Sequence, residues 1–223
     1  MPTPVELLIF DLDGTLADTR QDIANSVNHV LIELDCPPLA LPKVMQNIGD
    51  GVRKLLERSL PPERQEQVGA AVEIFRQHYR EHLLDHTSLY AGVREVLQLF
   101  QSNKMAVVSN KPEAFTREIV AGLGIDAAFG CILGGDSLAE MKPSPEPVLH
   151  VLRELGGAPQ ATLMVGDGLT DIHAGQAAGT QTCGVTYGFR SKAELASAEP
   201  DFLIDDIREL MDVLNAPRDG DSF

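Results

Sequence analysis

From about residue 87 onward, short apolar runs alternate with stretches of helical periodicity, and this alternation leaves few folds open. The runs at 104–109, 130–133, 161–166, 181–185 and 201–204 are strand-sized. Helical patterns at 93–101, 114–122, 146–155, 171–178, 192–198 and 205–214 lie before, between and after them. Strands separated by helices of this length are joined by crossovers rather than hairpins. The expected fold class is therefore α/β, a mostly parallel sheet with helices on both faces. A further apolar strand opens the chain at Glu6-Leu7-Leu8-Ile9-Phe10.

Between that first strand and the alternating region the pattern changes. Residues 16–86 carry three helical patterns, at 20–34, 43–60 and 62–84, and no convincing strand. The expected organisation is a core made of 1–15 and 87–215, a helical insert at 16–86, and a polar, frayed tail at 216–223. Both joints of the insert fall at the C-terminal end of the sheet, where open α/β folds bind ligands. A helical insert there can close over a substrate and exclude water.

Composition removes several classes of function. The net charge of −15 over 223 residues argues against general binding to nucleic acid or to an anionic membrane, both of which need a basic surface. No apolar run approaches the roughly 20 residues of a membrane span, and no secretory signal pattern is read at the N-terminus. Cys36, Cys131 and Cys183 are distant and odd in number, so they form neither a disulfide framework nor a metal motif. Reduced thiols in a cytoplasmic protein are the expectation.

The first strand ends on Asp11-Leu12-Asp13-Gly14-Thr15. Residues two apart on a strand share a face, so Asp11 and Asp13 leave it side by side, each disfavouring ionisation of the other. A divalent cation or a shared proton resolves that conflict. The pair reads as chemistry: one carboxylate to attack, one to move a proton, and a metal between them and an anionic substrate. Three later clusters follow strands in the same manner: Ser109-Asn110-Lys111, Lys142-Pro143, and Gly166-Asp167-Gly168-Leu169-Thr170-Asp171. In a parallel sheet they converge on one edge and bring together acids, a hydroxyl, an amide and a cation. That inventory suits phosphoryl transfer, where catalysis is mainly positioning and charge stabilisation.

The set D-x-D-G-T, S-N-K, K-P and G-D-x-x-x-D, in this order, resembles the haloacid dehalogenase superfamily of phosphatases along nearly the whole chain. Within it, Asn110-Lys111-Pro112, Gly134-Gly135-Asp136, Lys142-Pro143-Ser144-Pro145-Glu146-Pro147 and Val185-Thr186-Tyr187-Gly188 are similar to stretches of the bacterial phosphoglycolate phosphatases, as is the glycine pair of Ile48-Gly49-Asp50-Gly51. The resemblance implies a Rossmann-like core, a helical cap, and Mg2+ as cofactor. It implies Asp11 as nucleophile and Asp13 as general acid and then base. Asp11, the Asp13 backbone carbonyl and Asp167 would hold Mg2+, with Asp171 acting from behind them. Ser109, Asn110 and Lys142 would bind the phosphoryl oxygens, Lys142 also serving catalysis, and the partner would be a small phosphorylated metabolite. A phosphosugar mutase shares these core motifs. A receiver-like phospho-switch uses similar residues but on different strands and without a cap.

Three further features have plain readings. His78, His82 and His86 stand four apart in a charged stretch and read as a solvated helix face. Arg53, beside the cap glycines, is the candidate fork for a substrate carboxylate, with a solvent-facing helix arginine as its alternative. Gly168 stands where many relatives would carry a small hydroxyl residue, which affects a supporting hydrogen bond rather than a ligand.

Overall fold

The structure, a computed structural model, describes residues 4–215; the tail expected at 216–223 lies outside the described residues. Strand β1 (Leu7–Phe10) is followed by the short β2 (Ala17–Asp18) and by helices α1 (Arg20–Glu33), α2 (Leu41–Asn47), α3 (Gly51–Ser59) and α4 (Val68–His82). The chain returns through β3 (Ser88–Leu89), α5 (Val93–Leu99), β4 (Lys104–Val108), α6 (Glu113–Gly122) and β5 (Cys131–Leu133). It finishes with α7 (Glu146–Leu155), β6 (Thr162–Gly166), α8 (Leu169–Ala177), β7 (Gln181–Val185), α9 (Lys192–Ser197), β8 (Phe202–Ile204) and α10 (Leu210–Asn215). Six strands form one sheet in the order β5-β4-β1-β6-β7-β8, every pairing parallel.

Successive side chains of β1 point to opposite faces and enter two different cores. Leu7 and Ile9 pack with Val148, Val151 and Leu152 of α7 and Ala174 of α8. Leu8 and Phe10 pack with Val96 of α5 and with Phe115 and Ile119 of α6. All four β1 side chains are fully buried, as a central parallel strand requires, and each such burial contributes about 1.5–3 kcal/mol. The α/β sheet with helices on both faces is thus what the sequence pattern expects.

From β1 the chain builds β4 and β5 to one side, then returns to place β6, β7 and β8 on the other. This makes β1 the topological switch point, and the crevice beyond its C-terminal end is the place for a ligand. Register decides what meets there. Phe10 lies level with Val107 on one side and Val165 on the other, so Asp11 emerges between the residues that follow β4 and those that follow β6.

The helical segment differs from its sequence reading in two places. The pattern at 43–60 is two helices, because Gly49 and Gly51 take φ of +132° and +81° and break the run between Asn47 and Gly51. The joints also carry a small antiparallel pair, Ala17 opposite Leu89, too short to show periodicity in sequence. The buried carboxylate of Asp22 on α1 reinforces it, accepting the His86 and Thr87 N–H groups and the Thr87 hydroxyl at 2.8–3.1 Å.

The histidines are not a simple solvated face. α4 ends at His82, leaving His86 beyond it, and His78 stacks half-buried between His29 and His82 with ring centroids 4.1 and 4.3 Å away. Burial, then the neighbouring imidazoles, pull the His78 pKa below its ordinary value. The three cysteines are buried free thiols, and among the described residues no helix is long and apolar enough to cross a membrane.

Candidate active site

Asp11 still belongs to the sheet: its N–H donates to Val165 O at 2.9 Å, which fixes its backbone at the mouth of the β1/β6 seam. The chain then turns sharply, with Leu16 N–H and Ala17 N–H both donating to Leu12 O at 3.0 and 2.9 Å. Gly14 has φ of +84°, and a Cβ there would stand 2.2 Å from Asp167 Oδ2. Only glycine allows the β1 turn to lie against the carboxylate that follows β6.

Lys142 is the buried centre of this edge. Its ammonium donates to Val108 O at 2.5 Å and lies 3.0 Å from Asp11 Oδ1 and 2.6 Å from Asp171 Oδ1. Asp171, in the first turn of α8, also accepts the Gly168 N–H at 2.9 Å. Burial pushes the Asp11 carboxyl up to about 7 even though Lys142 pulls the other way. Burial and then the charge of Asp11 hold Asp167 well above the usual carboxylate range. Burial alone would lower the Lys142 pKa, but Asp11 and Asp171 together outweigh it and raise it.

Asp13 has a different set of partners. Its Oδ1 accepts Thr19 Oγ1 at 2.6 Å and Lys111 Nζ at 2.8 Å. The same Nζ donates to the hydroxyl of Tyr79 on α4 at 2.8 Å, and both Lys111 and Tyr79 are buried. Sequence reasoning marks Lys111 only as a member of the Ser109-Asn110-Lys111 cluster and passes over Thr19 and Tyr79. A tyrosine on an amphipathic helix carries no signal separating it from core.

The carboxylates fit a hard divalent cation with oxygen ligands. Asp11, Asp167 and Asp171 offer oxygens that all lie within 4.8 Å of one another. With Asp13, four carboxylates face two ammonium groups; burial first, and then the neighbouring carboxylates, raise Asp11 and Asp167. Asp167 is aimed by Phe189 N–H at 2.6 Å and Thr15 Oγ1 at 3.3 Å. Asp171 lies within the same cluster, although the resemblance implies a place behind it. Its oxygens already serve Lys142 and the Gly168 N–H, which makes it a support for the lysine.

Asp11, Asp13, Ser109, Asn110, Lys142, Asp167 and Asp171 all line one cavity, closed on its other side by residues of α1, α3 and α4. Ser109 faces it and accepts the Lys111 N–H at 3.3 Å. The Asn110 side chain has a further engagement: its amide nitrogen donates to Gly49 O at 2.9 Å and Lys142 O at 2.8 Å, committing both amide hydrogens and clasping the α2–α3 loop. Arg53 is not brought to the cavity. Its side chain is 69% exposed and pairs with Glu57 at 3.2 Å one turn along α3, on the solvent side of the helix. Arg190, from the loop after β7, lines the cavity instead.

A family model for haloacid dehalogenase-like hydrolases matches residues 8–185. The chain belongs to this family. Among haloacid dehalogenase-like hydrolases it is 37% identical over 217 residues to the phosphoglycolate phosphatase of Chromobacterium violaceum, covering 94% of this chain and 96% of that one. It is 40% identical over 213 residues to the phosphoglycolate phosphatase of Aquifex aeolicus, covering 93% and 97%. The crystal structure of a predicted phosphoglycolate phosphatase from Haemophilus somnus matches with a TM-score of 0.88 at 33% identity, over 94% of this chain and 97% of that one. The resemblance carried by the four motifs is therefore a family relationship, and the chain is a hydrolase.

Proposed function

We propose that this hydrolase cleaves small phosphomonoesters, with 2-phosphoglycolate as its leading substrate, by way of a phosphoryl group carried on Asp11. The observation that carries the reading is the separate ion pairing of two neighbouring carboxylates. Lys142 serves Asp11 and Lys111 serves Asp13, so the two acids have different partners and can take different tasks. The names of the relatives support the substrate.

In this reading Asp11 attacks phosphorus and the ester P–O bond breaks. Asp13 gives a proton to the departing alkoxide; its Oδ1 holds Thr19 and Lys111, which leaves Oδ2 for that transfer. Asp13 then takes a proton from the water that attacks phosphorus and frees Asp11. Lys142 offsets the charge on Asp11 and the phosphoryl oxygens, held in line by Asp171, and the Ser109 hydroxyl donates to a phosphoryl oxygen. Mg2+ would be held by Asp11, Asp167 and the Asp13 backbone carbonyl, and would neutralise phosphoryl charge when bound. Residues 16–86 act as a cap over a core of 1–15 and 87–215, in a cytoplasmic enzyme.

The test is a panel of phosphorylated acids, sugars and nucleotides compared by kcat/KM, with and without Mg2+. Turnover led by phosphoglycolate, abolished by EDTA and restored by Mg2+, is expected. Full activity in thoroughly metal-stripped enzyme, or conversion of a phosphosugar to its isomer without phosphate release, contradicts the reading.

A further inference from the structure

Three basic side chains line the cavity: Lys111, Lys142 and Arg190. Two are committed to carboxylates, Lys111 to Asp13 and Lys142 to Asp11 and Asp171. The guanidinium of Arg190 donates to backbone carbonyls, Ile48 O and, at 3.5 Å, Met45 O. Carbonyls are neutral, so among the described residues Arg190 is the one cavity cation with no carboxylate in ion-pair contact; its charge reaches the exposed Glu194 carboxylate, itself bonded by Ser191, at longer range. A guanidinium carries five N–H donors, and two bonds leave others to offer.

The surroundings favour an anion at this position. Much of the facing wall is hydrocarbon, from Ile23, Val52, Leu55 and Phe75 of the helical segment and Phe115 of α6, while its polar members are engaged, Asp50 with Arg58 and the Tyr79 hydroxyl with Lys111. A charged group entering such a wall needs a paired, hydrogen-bonded partner. The loop holding the guanidinium is shaped for it: Gly49 has φ of +132°, and a Cβ there would press to 3.3 Å from Arg190 Nη2. Asn110 grips Gly49 O from the other side, and its own Oδ1 is buried without a partner.

We infer that Arg190, rather than Arg53, binds a carboxylate at the non-reacting end of the leaving group and so sets the preference for phosphorylated acids. This rests on the phosphomonoester reading above. Arg190 touches the loop between α2 and α3 as well, so a variant can also loosen the cap; a ratio of two substrates cancels that general loss. Phosphoglycolate and ethyl phosphate suit the purpose, since they share the ester and differ in the carboxylate.

Wild-type enzyme is expected to prefer phosphoglycolate by kcat/KM. Arg190→Met should cut the ratio of the two kcat/KM values by about ten- to a hundredfold, the range for a lost charged hydrogen bond, mostly through KM for phosphoglycolate. Arg190→Lys should recover part of the ratio, keeping the charge without the fork. Should Arg190→Met fail to fold, the same ratio in Arg190→Gln decides. A variant ratio within twofold of wild type overturns the assignment, whatever the absolute rates. Equal wild-type turnover of the two esters overturns it too while leaving phosphomonoester hydrolysis intact. A wild type that cleaves neither ester, nor p-nitrophenyl phosphate, overturns both readings.

Discussion

The cavity has two walls built on different principles. The sheet-side wall is a set of charges placed by strand register: Asp11 after β1, Asp167 after β6 and Ser109 after β4, with Lys142 buried among them. The helical wall is mostly apolar and meets the core through a few polar clasps, Asn110 to Gly49, Arg190 to Ile48 and Lys111 to Tyr79. A wall of fixed charges is suited to the bond that breaks, whereas an apolar wall held by single hydrogen bonds is suited to choosing what enters. Damage to the first should fall on kcat, and damage to the second on KM and on substrate choice.

The largest separation between the walls should come from Asp11→Asn, which removes the nucleophile at nearly constant volume. A loss of roughly 10⁴-fold or more in kcat is expected, with the fold retained because a like-charge contact is relieved. Steady-state kinetics and circular dichroism check it; a variant with a tenth of wild-type kcat breaks the comparison. Asp13→Asn comes next, at about 10²–10⁴-fold in kcat on alkyl phosphates.

Tyr79→Phe probes the cap wall where it touches the chemistry. It removes one acceptor from Lys111 but keeps the ring stacked 5.2 Å from Phe75 and edge-on to Phe115. The lost bond runs from a charged ammonium to a neutral hydroxyl, and with the Asp13 ion pair still in place a fall of about tenfold in kcat is expected. A loss as large as that of Asp13→Asn would place Tyr79 among the reacting groups and erase the distinction between the walls.

The smallest effect is thermodynamic. Asp11, at about 7, and Asp167 bind a proton more tightly folded than unfolded. For Asp11 the stability they contribute is therefore full below about pH 4 and is lost as pH rises through about 7 in metal-free protein. Mg2+ should restore it, raising Tm by roughly 5–10 °C at neutral pH when present at a hundredfold excess over Kd, and by less at pH 5. Asp167→Asn should abolish the shift. Scanning calorimetry at the two pH values decides, and an equal shift in Asp167→Asn would remove that residue from the metal site.

The walls also differ in how readable they are from sequence. Asp11, Asp13, Lys142, Asp167 and Asp171 stand next to strands whose apolar runs are unmistakable, so sheet topology alone sends them to one edge. Thr19, Tyr79 and Arg190 matter only because the helices return over that edge, and no local pattern encodes such an approach. Arg53 shows the cost of reading by proximity in sequence. It lies two residues from Gly51, but helix phase turns Val52 and Leu55 toward the cavity and leaves Arg53 with Glu57 in solvent. Asn110 was legible as part of the site, but its clasp on the helical segment was not, because its partner Gly49 is 61 positions away in sequence.

The central claim, that Asp11 carries the phosphoryl group and Asp13 moves the proton, is tested most directly by rapid-quench kinetics of Asp13→Asn with p-nitrophenyl phosphate. Its good leaving group barely needs the acid, while release of phosphate from Asp11 still needs the base. A burst of nitrophenol with little free phosphate is expected, together with a phosphoryl group on the peptide that contains Asp11. Nitrophenol and phosphate released together at the wild-type rate, with no label on that peptide, would contradict it.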